Sequence, residues 1–245
     1  NFELTGSSND WLLIDRPINI IGANAGTSAV DRLPFAPVGE SVLDFVAATG
    51  GTDGAVVIAS SGVFIDGIAV FADGDQAFGI RIDASMARSN IQILNSFVLG
   101  DGSGNQIAGN GIETVGGGQV ANLTIVGNAI DFVDGSGVAL ANVRGLVIQN
   151  NLVGTEATVL TTVGGHGFTI SNATYATSVS GNSIFDTGLD GIALDNAGYA
   201  DAPAGNYVSV TQNTFDNVGN SGIAINGFRT VAATSNTVGT GAQPA

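Results

Sequence analysis

Three short patterns recur in a fixed order along this chain, and their recurrence limits its fold more than any other feature. The first is a glycine that opens an alternating segment: Gly79-Ile80-Arg81-Ile82, Gly111-Ile112-Glu113-Thr114, Gly137-Val138-Ala139-Leu140, Gly167-Phe168-Thr169-Ile170, Gly191-Ile192-Ala193-Leu194 and Gly222-Ile223-Ala224-Ile225. The second runs into asparagine, as in Ile91-Gln92-Ile93-Leu94-Asn95, Leu123-Thr124-Ile125-Val126-Gly127-Asn128 and Val208-Ser209-Val210-Thr211-Gln212-Asn213. The third follows that asparagine with apolar residues, such as Ala129-Ile130, Ile184-Phe185 and Phe215. Along Asn95, Asn128, Asn151, Asn182, Asn213 and Asn236 the spacings are 33, 23, 31, 31 and 23 residues. A base period near 23, with insertions of eight to ten, fits a coil of three short strands.

Alternation sends one set of side chains inward and the other outward. A single coil cannot bury its inner set. Stacking coils at about 4.8 Å gives each strand two hydrogen-bonded neighbours and joins the inner sets into one apolar column. The expected fold is therefore all-β: a single-stranded right-handed parallel β-helix of about eight coils, the hand following from the crossover rule. At that spacing the rod is about 35 Å long. Trp11 to Ile14, Ile18 to Ile21, Val42 to Phe45 and Ala55 to Ile58 continue the pattern toward the N-terminus, with 27–40 as an inserted loop. No composition break divides the chain, so residues 1–245 read as one domain. The asparagine row is expected at a sharp corner needing a left-handed residue, with the amides stacking as a ladder. Asp66, followed by Gly67, reads as its member one coil earlier. The glycine row is expected to serve a positive φ or a close approach of backbones.

Composition narrows the function. Glycine supplies 37 of 245 residues, about twice the usual ~7%, which disfavours helices. Charged residues are 11%, against about 25% in ordinary soluble domains, yet the net charge is −15. With six arginines, no lysine and that charge, a nucleic-acid partner is not expected. No apolar run approaches the ~18 residues of a membrane span, and the absence of cysteine removes disulfides and thiol catalysis.

The segment Arg16-Pro17-Ile18-Asn19-Ile20-Ile21-Gly22-Ala23-Asn24-Ala25-Gly26 resembles the opening coil of pectate-lyase-like β-helix proteins. The later Val-x-Ile-x-Asn and Gly-Ile-x-Leu coils resemble the repeats of that superfamily, so the resemblance covers nearly the whole chain. It implies the fold. It does not choose an activity, because the superfamily holds lyases, hydrolases, epimerases, tailspikes, adhesins and passive scaffolds. Solenoids need polar caps, and no amphipathic capping helix is recognisable here. The expectation is a segment of a longer extracellular or cell-surface protein, with neighbouring coils or domains stacked end-on.

In enzymes of the superfamily the substrate groove lies along the first strand of each coil. The outward positions there are Arg81 and Asp83, Glu113 and Val115, Ala139 and Ala141, Thr169 and Ser171, Ala193 and Asp195, Ala224 and Asn226. The middle of that face is small and neutral, without the acidic Ca²⁺ cluster and basic side chain that a pectate-lyase mechanism needs. Gly164-Gly165-His166-Gly167 resembles a segment of polygalacturonase-type hydrolases, but the chain has no Asp-Asp pair and no lysine. Inverting hydrolysis by paired carboxylates is thus not expected. The sharpest catalytic candidates are His166 and Asp190, which column stacking brings to about 5 Å. Arg144, Tyr175 and Asp195 lie in adjoining segments, and together the five would suit a polysaccharide lyase or C5-epimerase. Asp73, Asp75, Asp101, Ser103 and Asn105 place oxygens at alternate loop positions as Ca²⁺ loops do, although neither loop completes a known Ca²⁺ pattern. The favoured function is a rigid extracellular scaffold or adhesion module of a surface-layer or fibre protein. The alternatives are the lyase or epimerase on an acidic glycan, and non-catalytic carbohydrate binding.

Overall fold

A computed structural model describes residues 2–3, 11–33, 39–45, 54–72, 76–100, 106–155, 162–196, 207–228 and 230–239. Their strands follow one another as first, second and third side of a coil, eight times over, after a leading strand Phe2–Glu3. The first sheet runs from Leu12–Ile14 to Ile223–Asn226 in eight strands, and the second from Ile18–Ile21 to Val231–Thr234, also in eight. The third has nine, from Phe2–Glu3 to Thr237–Val238. Each strand pairs in parallel with its counterpart one coil away, as Thr169 with Ala193 and Ile170 with Leu194. The chain is a right-handed parallel β-helix, as the repeats require.

Alternation builds the core. Val138 and Leu140, Phe168 and Ile170, then Ile192 and Leu194 point inward on the first sheet, all at most 2% exposed. Leu146 and Ile148 do so on the second, and Val98, Ile130, Val153 and Ile184 on the third. At roughly 25 cal/mol per Å² of apolar surface, each such Ile or Leu contributes about 2 kcal/mol.

The amide ladder is present, with two corrections to its membership. It runs Ser96, Asn128, Asn151, Asn182, Asn213, Asn236. Asn151 Oδ1 accepts from the backbone N–H of Asn128 at 2.9 Å and from its Nδ2 at 3.0 Å. Asn182 Oδ1 does the same for Asn151, at 2.9 and 3.0 Å. Each Nδ2 also donates to a second-sheet carbonyl, Asn128 to Ile93 O and Asn151 to Ile125 O, both at 2.9 Å. None of the ladder asparagines is left-handed. That conformation belongs to the residue before: Gly67, Asn95, Gly127, Asn150, Gly181, Gln212 and Ser235. Asn95 (φ 48°) therefore stands in the corner row, and Ser96 takes its rung by receiving the Asn128 oxygen on its N–H at 2.9 Å. Likewise Asp66 is not a rung; Ile68 is, its N–H facing Ser96 Oγ at 3.3 Å.

The glycine row answers to close approach alone. Gly167 has no positive φ, and a Cβ there would lie 2.6 Å from Gly191 O and 2.5 Å from Ile184 Cγ2. Residues 28–33 of the inserted loop after the first coil's second strand fold back across the outer face of the third sheet. Ala29 N–H donates to Gly127 O at 2.8 Å, and Ala29 joins Ala69, Phe97, Leu99 and Ala129 in a second, smaller core. Arg32, in the short 3-10 turn Val30–Arg32, pairs with Glu40, donates to Asn95 O and lies 4.8 Å over the Phe97 ring. No helix among the described residues is long and apolar enough to cross a membrane.

Two adjacent asparagines separate the roles of the two rows. Asn151→Ala strands the Asn128 N–H and the Ile125 carbonyl inside the wall, and should cost about 3 kcal/mol in urea unfolding. Asn150→Gly keeps the left-handed corner and should change stability by less than about 0.5 kcal/mol. Equal losses would contradict the assignment.

Candidate functional site

The outward face of the first sheet, where the sequence seeks a groove, begins with a tight glycine turn in each coil. Gly164 and Gly165 pass close to the coil before, a Cβ on Gly164 meeting Asp134 O at 2.3 Å. That turn presents His166, half-buried, just ahead of the strand Phe168–Ser171. One coil later Asp190 holds the matching place. The two do come together: His166 Nδ1 lies 3.3 Å from Asp190 Oδ2 and accepts the Asp190 backbone N–H at 3.2 Å. An imidazole protonated on Nε2 alone accepts that N–H, whereas one carrying its proton on Nδ1 donates to the carboxylate and leaves Nε2 as the basic nitrogen, so Nδ1 makes only one of these contacts at a time. Asp190 Oδ1 is held by the Ser221 N–H at 3.0 Å, and His166 N–H donates to Ser136 Oγ at 3.2 Å.

The other three candidates lie toward the corner where the first sheet gives way to the second. Arg144 opens the second-sheet strand Val143–Gln149, and its guanidinium stacks 3.8 Å from the ring centroid of Tyr175. Tyr175 (φ 61°) sits where coil six carries one extra residue, a bulge that turns its ring outward. Asp195 ends the strand Ile192–Asp195 and accepts from Asn226 Nδ2 at 3.2 Å. From His166 to Ser171 the extended chain spans about 16 Å. The structure thus brings together His166 with Asp190, and Arg144 with Tyr175, as two groups on opposite edges of the sheet.

Toward the N-terminal coils a third group is better formed. Arg81 Nε donates to Glu113 Oε1 at 2.6 Å, its guanidinium lies 3.6 Å from the Phe78 ring centroid, and Asn110 Nδ2 donates to Glu113 Oε2 at 2.8 Å. Every charge there is matched, so it braces coils three and four rather than offering a free base. Adjacent alternation signalled the Arg81–Glu113 pair; the Phe78 stack had no sequence signal.

The loop positions Asp73, Asp75, Asp101, Ser103 and Asn105 lie outside the described residues. Among the described residues no three His, Cys, Asp or Glu side chains gather as a metal site. A pair of acids does occupy the corner after the third sheet. Asp131 ends the strand Ala129–Asp131, and Asp186 lies in Ser183–Thr187 two coils on. Both are 4% exposed. Burial pushes the Asp131 carboxyl up to about 6, the Phe132 N–H and the Thr162 and Thr155 hydroxyls pulling the other way and the Asp186 charge adding to the rise. Asp131 also borders a cavity of about 520 Å³ on the outer face of the third sheet, with Leu33, Phe71, Leu99, Leu152 and Thr155. The sequence marks Asp131 and Asp186 as acids on nearby coils, but alternation says nothing of what covers them, so their burial had no sequence signal.

Compared with family models, with curated proteins and with solved structures, the chain finds no match in any of the three. Function must be argued from geometry.

A carboxyl whose native value lies above its unfolded one binds protons more tightly in the folded state. Its stabilising contribution is complete below about pH 4 and is lost as pH rises through about 6, a change of about 3 kcal/mol. With chelator present, the difference in unfolding free energy between Asp131→Asn and wild type should grow in the variant's favour across that window. Parallel pH profiles would contradict the burial of this charge.

Proposed function

We propose that this chain is a rigid β-helical scaffold or adhesion module of a larger secreted or cell-surface protein, related to the pectate-lyase-like superfamily that its coils resemble. The observation that carries this reading is the first sheet's outward face. Its central coils present Ala139, Thr169 and Ala193, and the side chains of catalytic type are divided between its two edges rather than gathered over one position. The frame itself is strongly braced, by the amide ladder, by the Arg81–Glu113 pair and by the loop folded over the third sheet. An acidic surface disfavours direct binding of anionic glycans.

One observation favours a second reading: the 3.3 Å contact of His166 with Asp190 is the geometry of an oriented general base. A polysaccharide lyase or C5-epimerase would use it against a uronate polymer. The purified chain, given a panel of uronate polymers, should release no unsaturated ends and leave C5 configuration unchanged by NMR. Turnover that disappears in His166→Ala would replace the scaffold reading with the enzyme.

A further inference from the structure

The corner after the third sheet carries two acids that the scaffold reading does not use. Asp131 stands on coil four and Asp186 on coil six, about 9.6 Å apart along the axis at two coil steps. Coil five lies between them and supplies Thr155 and Thr162, the latter 2% exposed. A short run of isolated bridges, Ile107 to Val133 to Val163 to Thr187, holds this corner in register through four coils. The positions are thus fixed by the lattice.

The hydrogen bonding at these acids is incomplete. Phe132 N–H donates to Asp131 Oδ1 at 2.8 Å, and Asn217 Nδ2 donates to Asp186 Oδ1. The second oxygen of each, Asp131 Oδ2 and Asp186 Oδ2, is fully buried and makes no hydrogen bond of acceptable length and angle. The Thr155 and Thr162 hydroxyls lie close enough to Asp131 to favour its charge. Among the described residues the arginines are committed elsewhere: Arg16 to Asp15, Arg32 to Glu40, Arg81 to Glu113, Arg88 to Asp83 O and Arg144 to Tyr175. Two like charges buried without a counter-charge oppose folding unless something positive joins them.

We propose that Asp131 Oδ2 and Asp186 Oδ2, with the hydroxyls of Thr155 and Thr162, form a binding site for one hard divalent cation, Ca²⁺ by preference, that ties coils four, five and six together. The donor set is all oxygen, as Ca²⁺ takes, and two carboxylates balance its charge. Ile130 is in register with Val153 and Val153 with Ile184, so Asp186 stands two coil steps on and one residue beyond the row of Asp131, a spacing that leaves room between the two carboxylates for an ion with ligand distances of about 2.3–2.6 Å. The cavity beside Asp131 gives an entry from solvent.

Calorimetric titration with CaCl₂ after chelator treatment, at ionic strength matched with NaCl, tests the site directly, with thermal melts in parallel. Wild type should bind one Ca²⁺ here and melt higher as Ca²⁺ rises. Asp186→Asn should weaken that binding at least tenfold while remaining folded, because asparagine suits its left-handed backbone (φ 47°). Asp131→Asn should do the same. If that variant fails to fold by circular dichroism, Thr162→Val takes its place, with weaker binding and both acids intact. No heat and no melting shift in wild type would overturn the proposal. So would Ca²⁺ binding that survives unchanged in the variants.

Discussion

A single coil of this protein has almost no hydrogen bonds of its own. Its strands are bonded to the coils before and after, so the strand donors described on one coil depend on its neighbours arriving in register. A slip by one residue would turn Ile and Val outward and the small polar row inward along a whole strand. The amide ladder is the most exacting part of that dependence. Four asparagines at no more than 1% exposure are tolerated inside the wall because each Oδ1 and Nδ2 finds its partner on a neighbouring coil.

The same lattice decides where chemistry can sit. Strand interiors are committed on both sides, inward to the core and, on much of the third sheet, outward to the loop carrying Ala29 and Arg32. Apart from the Arg81–Glu113 pair inside the first sheet, the unusual side chains stand at corners: His166 with Asp190 before the first sheet, Arg144 with Tyr175 after it, Asp131 and Asp186 after the third. Because coils repeat at a fixed step, residues at equivalent corners meet whether or not their sequence spacing is regular. Residues at different corners of one coil do not. That is why a candidate set of five divides into a pair, a stack and Asp195.

The period, the inward rows and the outward positions of the first strand were legible because alternation and recurrence are local properties of the chain. The His166–Asp190 contact followed from them. Which of two adjacent residues forms the ladder was not legible, since Asn150 and Asn151 satisfy a left-handed corner and an amide rung equally well on paper. Asn95 was assigned to the rung for the same reason, when the rung is Ser96. The packing of 28–33 over the third sheet was hidden because it joins segments nearly a hundred residues apart with no shared period. Phe97-Val98-Leu99, three apolar residues where alternation calls for two, was the trace it left.

Hydrogen exchange of asparagine side-chain carboxamides, resolved by NMR, tests the stacked register most directly. Such protons normally exchange fast, so protection reports a buried, matched amide. The Nδ2 protons of Asn128, Asn151, Asn182 and Asn213 should exchange only as slowly as the whole rod opens, while those of exposed Asn90 and Asn150 exchange freely. Fast exchange at the four, or protection that follows Asn95 and Asn150 instead, would contradict the stack of coils described above.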